Sequence, residues 1–173
     1  MLLLISQQLM EVLNAGHEIR AISQDISRAF DTVWHPALLT KLPSYGIQGH
    51  LHSWLADFLS CHSQRVALNG VLSSSFPIQA GVPQGSVLGP VHFLVIFNDL
   101  SDSLENPLYL FADDSTLCRN ICHPSDRQTA ASSLTADLDK ITNWSNTWTL
   151  TFGTCLSIRT NLTLSLCLFE RTV

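Results

Sequence analysis

LFADDSTL, at residues 110–117, places two adjacent carboxylates, Asp113 and Asp114, between two short apolar runs. Two apolar runs that flank a tight polar turn are typical of a β-hairpin. Neighbouring aspartates repel each other, so a fold that presents them together needs a cation or hydrogen-bond donors. Magnesium is a suitable cation, because it takes hard oxygen ligands and usually needs only one or two protein carboxylates. Aspartate is also a common turn residue, so a purely structural turn is the alternative.

Length and charge limit what the chain can be. Its 173 residues are enough for one domain, and nine Lys and Arg against fourteen Asp and Glu give a net charge of −5. A self-sufficient nucleic-acid-binding protein usually has a basic face, whereas the basic residues here are few and scattered. Residues 1–8 lack the basic segment and the apolar length of a signal peptide or membrane span. We therefore expect an intracellular protein, in the cytoplasm or the nucleus, with no membrane segment.

The cysteines do not suggest a disulfide framework or a zinc site. Their number, five, is odd and their spacing is irregular, which favours free thiols. Cys118, Cys122 and His123 lack a fourth ligand at the spacing of a zinc finger. The histidines near residues 50–62 have no cysteine or carboxylate at matching spacing, so we interpret them as surface or core-edge residues.

Hydrophobic spacing predicts short helices and strands along the rest of the chain. The predicted helices lie at residues 6–16, 34–42, 51–59 and 91–100, and the predicted strands at 19–26, 64–68 and 71–78. The last two strands flank Asn69 and Gly70, a pair typical of two-residue hairpin turns. We therefore expect a hairpin between residues 64 and 78.

Two further stretches contain residues suited to chemistry. Asp25 lies at the end of the strand predicted at residues 19–26, and Asp31 follows that strand. They are either a strand-end carboxylate and a helix cap, or the strand-end carboxylate forms a three-carboxylate cluster with the Asp113-Asp114 turn. Such a cluster could hold two metal ions. Residues 80–90, AGVPQGSVLGP, contain three glycines and two prolines before an apolar helix. Glycines let a ligand approach the backbone and helix N-termini offer N–H groups to phosphate, although a plain irregular loop has the same composition.

Together the three stretches resemble the palm motifs of reverse transcriptases, most closely those of non-LTR (LINE and jockey-like) retrotransposons. The motifs are DISRAFDTVWHPALLTKL at residues 25–42, AGVPQGSVLGP at 80–90 and LFADDSTL at 110–117. The resemblance extends from about residue 19 to residue 148. It implies RNA-templated DNA synthesis by an α+β polymerase palm, with a small antiparallel sheet packed on helices.

The resemblance also implies a catalytic metal site. Asp25, Asp113 and Asp114 match the family's catalytic, metal-binding aspartates, and Ile26 would offer its backbone carbonyl to the metal. The implied cofactor is a pair of Mg²⁺ ions, with Mn²⁺ as an alternative. Two shared ions would activate the primer hydroxyl and neutralise the leaving pyrophosphate.

Substrate-binding residues are implied in the same way. Phe30 would be the aromatic gate beneath the incoming sugar, and Gln84 and Gly85 would line the nucleotide and template side of the pocket. The partners in the complete protein would be an RNA template, a DNA primer and deoxynucleoside triphosphates. An amphipathic helix would follow and support the sheet through Leu134, Leu138, Ile141, Trp144 and Trp148.

The chain departs from the family pattern at both ends. The family has a basic fingers region before the first palm motif and a thumb after the palm, and residues 151–156 lack the expected Asn-Pro and lysines. We therefore predict a partial reverse transcriptase domain, the palm, at residues 1–150 and a divergent tail at 151–173. The fingers and thumb would belong to other regions of the same polyprotein. We expect this piece to be inactive alone.

Two other functions remain as alternatives. A non-catalytic relic of a decayed mobile element would keep the aspartates by inheritance, and Gln24 and His92 fit decay because each stands where an apolar residue is expected. A phosphotransfer module with an Asp-Asp pocket would need a lysine near that pocket. Lys41 and Lys140 lie in helical segments far in sequence from the Asp113-Asp114 turn, which disfavours it.

Overall fold

The computed structural model describes residues 2–60, 62–83, 85–160 and 169–171. Its helices are α1 (Leu2–Asn14), α2 (Ala29–Thr32), α3 (His35–Lys41), α4 (Gly49–Ser60), α5 (Leu88–Phe97) and α6 (Arg127–Thr147). Its strands are β1 (Glu18–Ile26), β2 (Ser63–Gln64), β3 (Ala67–Leu68), β4 (Val71–Leu72), β5 (Phe76–Pro77), β6 (Leu108–Phe111), β7 (Asp114–Ile121), β8 (Phe152–Thr160) and β9 (Phe169–Arg171). The chain divides into two compact units, residues 1–27 with 99–173 and residues 28–98.

The sheet of the first unit is antiparallel, with β1 at its centre. Its strand order is β6-β7-β1-β8-β9, and β1 pairs with β7 from Glu18 opposite Ile121 to Asp25 opposite Asp114. The predicted α+β fold with a small antiparallel sheet is confirmed at this level. On its other side β1 pairs with β8, so part of the segment predicted as a divergent tail belongs to the sheet. The domain boundary at residue 150 stays a prediction.

Two helices cover this sheet on opposite faces. Side chains alternate along a strand, so Ile19 and Ala21 of β1 share one face. On that face they form a buried apolar cluster with Val12 of α1 and Cys118 of β7. The other helix, α6, packs against β7 on the face that carries Leu117, which is 1% exposed. The sheet is therefore a central layer whose register determines what each helix contacts.

The amphipathic helix expected near residues 134–148 is present as α6, which begins at Arg127. Leu134 and Ile141 are buried as predicted, while Leu138 and Trp144 are half-buried. The Trp144 Nε1 donates to Asp99 Oδ1 at 3.0 Å. This bond joins the C-terminal half of α6 to the start of the segment that leads to β6.

Asp137 is a fully buried carboxylate on α6, and it holds the chain just before β6. It accepts hydrogen bonds from the backbone N–H of Glu105 at 3.1 Å and of Asn106 at 2.8 Å, and from Lys140 Nζ at 3.0 Å. Burial by itself raises the pKa of Asp137, but the bonds from Lys140, Asn106 and Glu105 outweigh it and leave the pKa below 3.8, its ordinary value. The β6–β7 hairpin is thus anchored to α6 through one ionised side chain.

Within the second unit, α3 packs against both α4 and α5. Lys41, the last residue of α3, is buried, and its Nζ donates to the carbonyl of Ile96 in α5 at 2.6 Å. His92 of α5 is 1% exposed, and neither ring nitrogen has a hydrogen-bond partner within the described residues. Burial lowers the pKa of His92 below 6.5, and nearby His35 lowers it further. His92, which interrupts the apolar sequence of α5, is therefore a neutral, buried side chain without a hydrogen-bond partner among the described residues.

The predicted hairpin is confirmed. Strands β3 and β4 pair around Asn69 and Gly70, whose φ angles of 49° and 79° are both positive, as in a type I′ turn. The predicted apolar side of α4 is only partly buried, because Leu55 and Leu59 are covered whereas Trp54 is 53% exposed. Sequence periodicity identifies the apolar side of a helix, but it does not show how much of that side another element will cover.

Two properties of the chain complete the fold. Cys118 and Cys122 are free thiols, and burial raises the pKa of Cys118 to about 11, which makes it a packing residue. No helix within the described ranges combines the length and apolar character that a membrane span requires.

Replacement of Asp137 by alanine should destabilise the chain by about 1–3 kcal/mol at pH 7, because buried backbone N–H groups lose their acceptor. Since the folded pKa of Asp137 is lowered, its contribution is present above the unfolded pKa of about 3.9 and is lost as pH falls through the folded value. The difference in unfolding free energy between the two proteins, measured with urea, should therefore shrink at acidic pH.

Asp139, two residues away on α6 and exposed, provides the matched control. Asp139→Ala should change the unfolding free energy by no more than about 0.5 kcal/mol. Equal effects of the two substitutions, or an Asp137 effect that is constant with pH, would contradict this account.

Candidate active site

Asp25 and Asp114 lie opposite each other at the ends of two paired strands, and their Cα atoms are partners in the register of β1 with β7. Directly opposite residues of an antiparallel pair have their side chains on the same face, and both of these are exposed. Ile19 and Ala21 lie on the same face of the sheet, at the other end of β1, where α1 covers them. Ser23 and Thr116, the next pair on that face, hydrogen-bond to each other at 3.3 Å, so the open end of this face is polar.

The turn that carries Asp113 is strained. Phe111 pairs with Asp114, so only Ala112 and Asp113 form the loop. Ala112 has a φ of 50° and Asp113 has no positive φ, as in a type II′ turn. A residue with a Cβ rarely takes such a φ, and strain of this kind is concentrated at functional sites. The Asp113 carbonyl accepts the Ile26 N–H at 3.1 Å, which ties the turn to the end of β1.

The other flank of Asp25 is irregular. The pairing of β1 with β8 shifts by one residue between Gln24 and Ile26, and bulges next to active sites can redirect a side chain. Gly153 lies at this shift. A Cβ at Gly153 would stand 2.9 Å from Ser27 Oγ and 3.9 Å from Asp25 Oδ2. The absence of a side chain there leaves space beside the Asp25 carboxylate.

The chemistry of these donors fits a divalent cation. Hard carboxylate oxygens stand at one edge of the sheet, and no side-chain hydrogen bond or ion pair to Asp25, Asp113 or Asp114 occurs within the described residues. The described part of the chain contains no group of three or more His, Cys, Asp or Glu placed to hold one metal ion. Magnesium usually takes only one or two protein carboxylates, with water and substrate phosphate as the other ligands. The opposed pair Asp25 and Asp114 meets that requirement.

In the second unit, Phe30 and Gly85 line one cavity of about 430 Å³. Phe30 is half-buried and stacks on Phe93, with ring centroids 4.6 Å apart. Gly85 has a φ of 81°, and a Cβ there would meet no atom within 4 Å, so the backbone is open to a ligand. The cavity is also lined by Val82, Pro83, Ser86, Val87, Gly89 and Pro90. Gln84 lies outside the described residues, and its role stays a prediction.

A backbone clasp, formed by residues 30–35 and 80–82, adjoins this cavity. The Gly81 N–H donates to the Val33 carbonyl and the Val82 N–H donates to the Phe30 carbonyl, each at 2.8 Å. His35 is buried, and its Nε2 bonds the Gly81 carbonyl at 2.6 Å. The clasp joins the segment with the aromatic ring to the segment that leads into the glycine-rich loop.

Gly81 is required where the two segments meet. Its φ is 89°, and a Cβ built on it would lie 2.9 Å from the backbone oxygen of Asp31. Both the backbone conformation and the close approach exclude a side chain. The glycine content of residues 80–90 predicted close approach to a ligand, but at Gly81 the group that approaches is the chain itself.

Sequence reasoning missed three residues that support the candidate site. His35 bonds Gly81 beside the cavity, Gly153 lies beside Asp25, and Asp137 anchors the β6–β7 hairpin. Asp137 stands three residues after Leu134 and four before Ile141, so helical spacing puts it on the buried face and could have identified it. His35 and Gly153 act through partners that are distant in the sequence. No local pattern identifies them.

Comparisons with known proteins identify relatives of this chain. Residues 5–153 match the family described as reverse transcriptase (RNA-dependent DNA polymerase). The chain is 34% identical, over 72% of its length, to the RNA-directed DNA polymerase from mobile element jockey of Drosophila melanogaster. It is 32% identical to the jockey polymerase of Drosophila funebris over 78% of its length, and 29% identical to the probable RNA-directed DNA polymerase from transposon BS of Drosophila melanogaster over 90%.

A solved structure shares the fold, and all of these relatives are much longer proteins. Apo telomerase from Candida tropicalis, truncated from its C-terminal domain, matches 97% of this chain and 38% of its own, with a TM-score of 0.63 and 13% identity. The chain covers 14%, 15% and 18% of the three polymerases named above.

Gly81→Ala should destabilise the chain more than Gly85→Ala. Each alanine would be forced to a positive φ, which costs about 1–2 kcal/mol, but only at Gly81 does the new Cβ meet the Asp31 backbone. That overlap should add about 1–3 kcal/mol. Urea unfolding of the two variants measures the difference, and equal losses would show that the clasp relaxes freely.

Proposed function

We propose, because this chain belongs to the reverse transcriptase (RNA-dependent DNA polymerase) family, that it forms the palm of a non-LTR retrotransposon polymerase and takes part in RNA-templated DNA synthesis. The observation that carries the proposal is the register that sets Asp25 opposite Asp114 beside the Asp113 turn. Nucleotidyl transfer consists mainly of positioning and charge stabilisation, and opposed carboxylates on paired strand ends suit that task.

In this proposal Asp25, Asp113 and Asp114 hold the metal ions, with the Ile26 carbonyl as a further ligand. Reverse transcriptases generally use divalent ions, and the finer assignment is two Mg²⁺, with Mn²⁺ as the alternative. When bound, the ions would activate the primer hydroxyl and stabilise charge on the leaving pyrophosphate. The chain keeps the carboxylates in place through the β1–β7 ladder and the bond between Ile26 and Asp113.

The cavity lined by Phe30 and Gly85 is proposed to receive the incoming nucleotide. Phe93 supports the Phe30 ring from one side, so the ring has a fixed position as a steric gate. A ring against C2′ would exclude the 2′-hydroxyl, the group by which proteins distinguish RNA from DNA. Gly85 would let the backbone approach the nucleotide or template, and Gln84 is proposed to act beside it.

The partners proposed for the complete protein are an RNA template, a DNA primer and deoxynucleoside triphosphates. Fingers and thumb regions of the same polyprotein would provide the basic contacts that this acidic chain lacks. An intracellular location, in the cytoplasm or the nucleus, goes with these partners because RNA and deoxynucleotides are found there.

One observation favours a second candidate, a non-catalytic relic. His92 is buried with both ring nitrogens unpaired within the described residues, and such a group costs stability with no compensating bond. A decayed copy would accumulate this kind of change. Activity of a restored polymerase decides between the two candidates.

The isolated chain should not extend a primer, whereas a chimera that carries residues 5–153 in place of the matching region of the Drosophila melanogaster jockey polymerase should do so. Orientation of the reactants contributes about 7–11 kcal/mol to such reactions, and the flanking regions would hold template and primer. The measurement is RNA-templated primer extension in magnesium.

In the chimera, Asp113→Ala should abolish extension and Asp102→Ala, at an exposed loop aspartate, should leave it unchanged. Extension by the isolated chain above its own Asp113→Ala variant would refute the need for the flanking regions. A folded chimera that is inactive with all aspartates intact would favour the relic.

Phe30→Val in the chimera should raise incorporation of ribonucleotides relative to deoxyribonucleotides. One lost contact limits the change in discrimination to about 1–3 kcal/mol. Competition kinetics provides the measurement, with Phe76→Val as the control because Phe76 is 58% exposed in β5. Unchanged discrimination in Phe30→Val would identify Phe30 as a core aromatic and nothing more.

A further inference from the structure

His35 connects the helix that follows Phe30 to the glycine-rich segment. It is 8% exposed, at the first position of α3, and its Nε2 bonds the Gly81 carbonyl at 2.6 Å. Because a carbonyl can only accept, the His35 Nε2 must carry the proton. Gly81 is buried as well, so this carbonyl has little access to water as a substitute donor.

Val82, the residue after Gly81, connects Gly81 to the cavity. Val82 is 4% exposed, lines the cavity with Phe30 and donates its N–H to the Phe30 carbonyl at 2.8 Å. Gly81 itself donates to Val33 at 2.8 Å. Loss of the His35 bond would therefore loosen a short segment whose other two bonds fix the wall of the cavity against the aromatic ring.

We infer that His35 is a positioning residue, which holds Gly81 and Val82 so that the cavity between Phe30 and Gly85 keeps the width that an incoming deoxynucleotide requires. This inference rests on the proposed function, since it assigns the cavity to the nucleotide. His35 itself does not line the cavity. Its effect on substrate passes through the clasp.

Three substitutions separate hydrogen bonding from packing. His35→Phe keeps a planar ring but removes the donor, whereas His35→Gln keeps an N–H donor of similar reach. His52→Phe is the matched control, because His52 Nε2 makes the same kind of bond, to the Leu39 carbonyl at 3.0 Å, and His52 does not line the cavity. All three are made both in the 173-residue chain and in the jockey chimera.

Amide hydrogen exchange in the chain alone tests the clasp without any need for activity. In His35→Phe the Gly81 and Val82 amides should exchange about tenfold faster, a factor that corresponds to about 1.4 kcal/mol, because local opening becomes easier. His35→Gln should stay close to the parent, and His52→Phe should leave both amides unchanged. Unchanged exchange in His35→Phe would overturn the inference whether or not the chimera is active.

Steady-state kinetics in the chimera tests the link to substrate. His35→Phe should raise KM for deoxynucleotides about tenfold at nearly constant kcat, which is the pattern expected when binding is weakened equally in the ground and transition states. His35→Gln should keep KM close to that of the parent chimera. A lower kcat at unchanged KM would mean only that less enzyme is folded, and would overturn the inference. If the parent chimera is inactive, the proposed function fails, and the exchange experiment still decides whether His35 holds the segment.

Discussion

The antiparallel register of β1 with β7 is the constraint on which the candidate metal site depends. Side chains alternate with a period of two along a strand, so a slip of one residue would move Asp25 to the opposite face. The apolar pair Ile19 and Ala21 prevents such a slip, because it must stay beneath α1 in the cluster with Val12. Burial at one end of the face thus determines which carboxylates are exposed at the other.

The second unit solves a comparable problem with backbone bonds. The cavity wall at Val82 and the ring of Phe30 belong to segments about fifty residues apart, and neither lies in a long strand or helix. Two N–H to carbonyl bonds and the His35 bond join the segments, and Gly81 permits the contact because it has no Cβ. Precise placement here comes from a few satisfied polar groups in a buried setting.

Much of the fold could be predicted from the sequence because its determinants are local. The Asn69-Gly70 turn, the strand β1 and the helix α3 each follow from residue type and spacing. The exposed Trp54 and the irregular pairing next to Gly153 could not, because they depend on which neighbours arrive from elsewhere in the chain. The roles of Asp25, Asp113 and Phe30 are implied by resemblance and stay predictions, because strand register and cavity lining show only where these residues lie.

The placement of the basic residues bears on the proposed metal site. Four of the nine basic residues are engaged within the fold, through bonds of Lys41 to Ile96, Arg119 to Asn106, Arg127 to Glu18 and Lys140 to Asp137. Arg20 is half-buried, and its Nε is buried without a hydrogen-bond partner among the described residues. These residues are engaged within the fold, and no side chain in the described part of the chain forms an ion pair or a hydrogen bond with Asp25 or Asp114. If divalent ions bind there as proposed, they would offset repulsion between the two carboxylates, and substrate phosphate would complete the coordination of the ions.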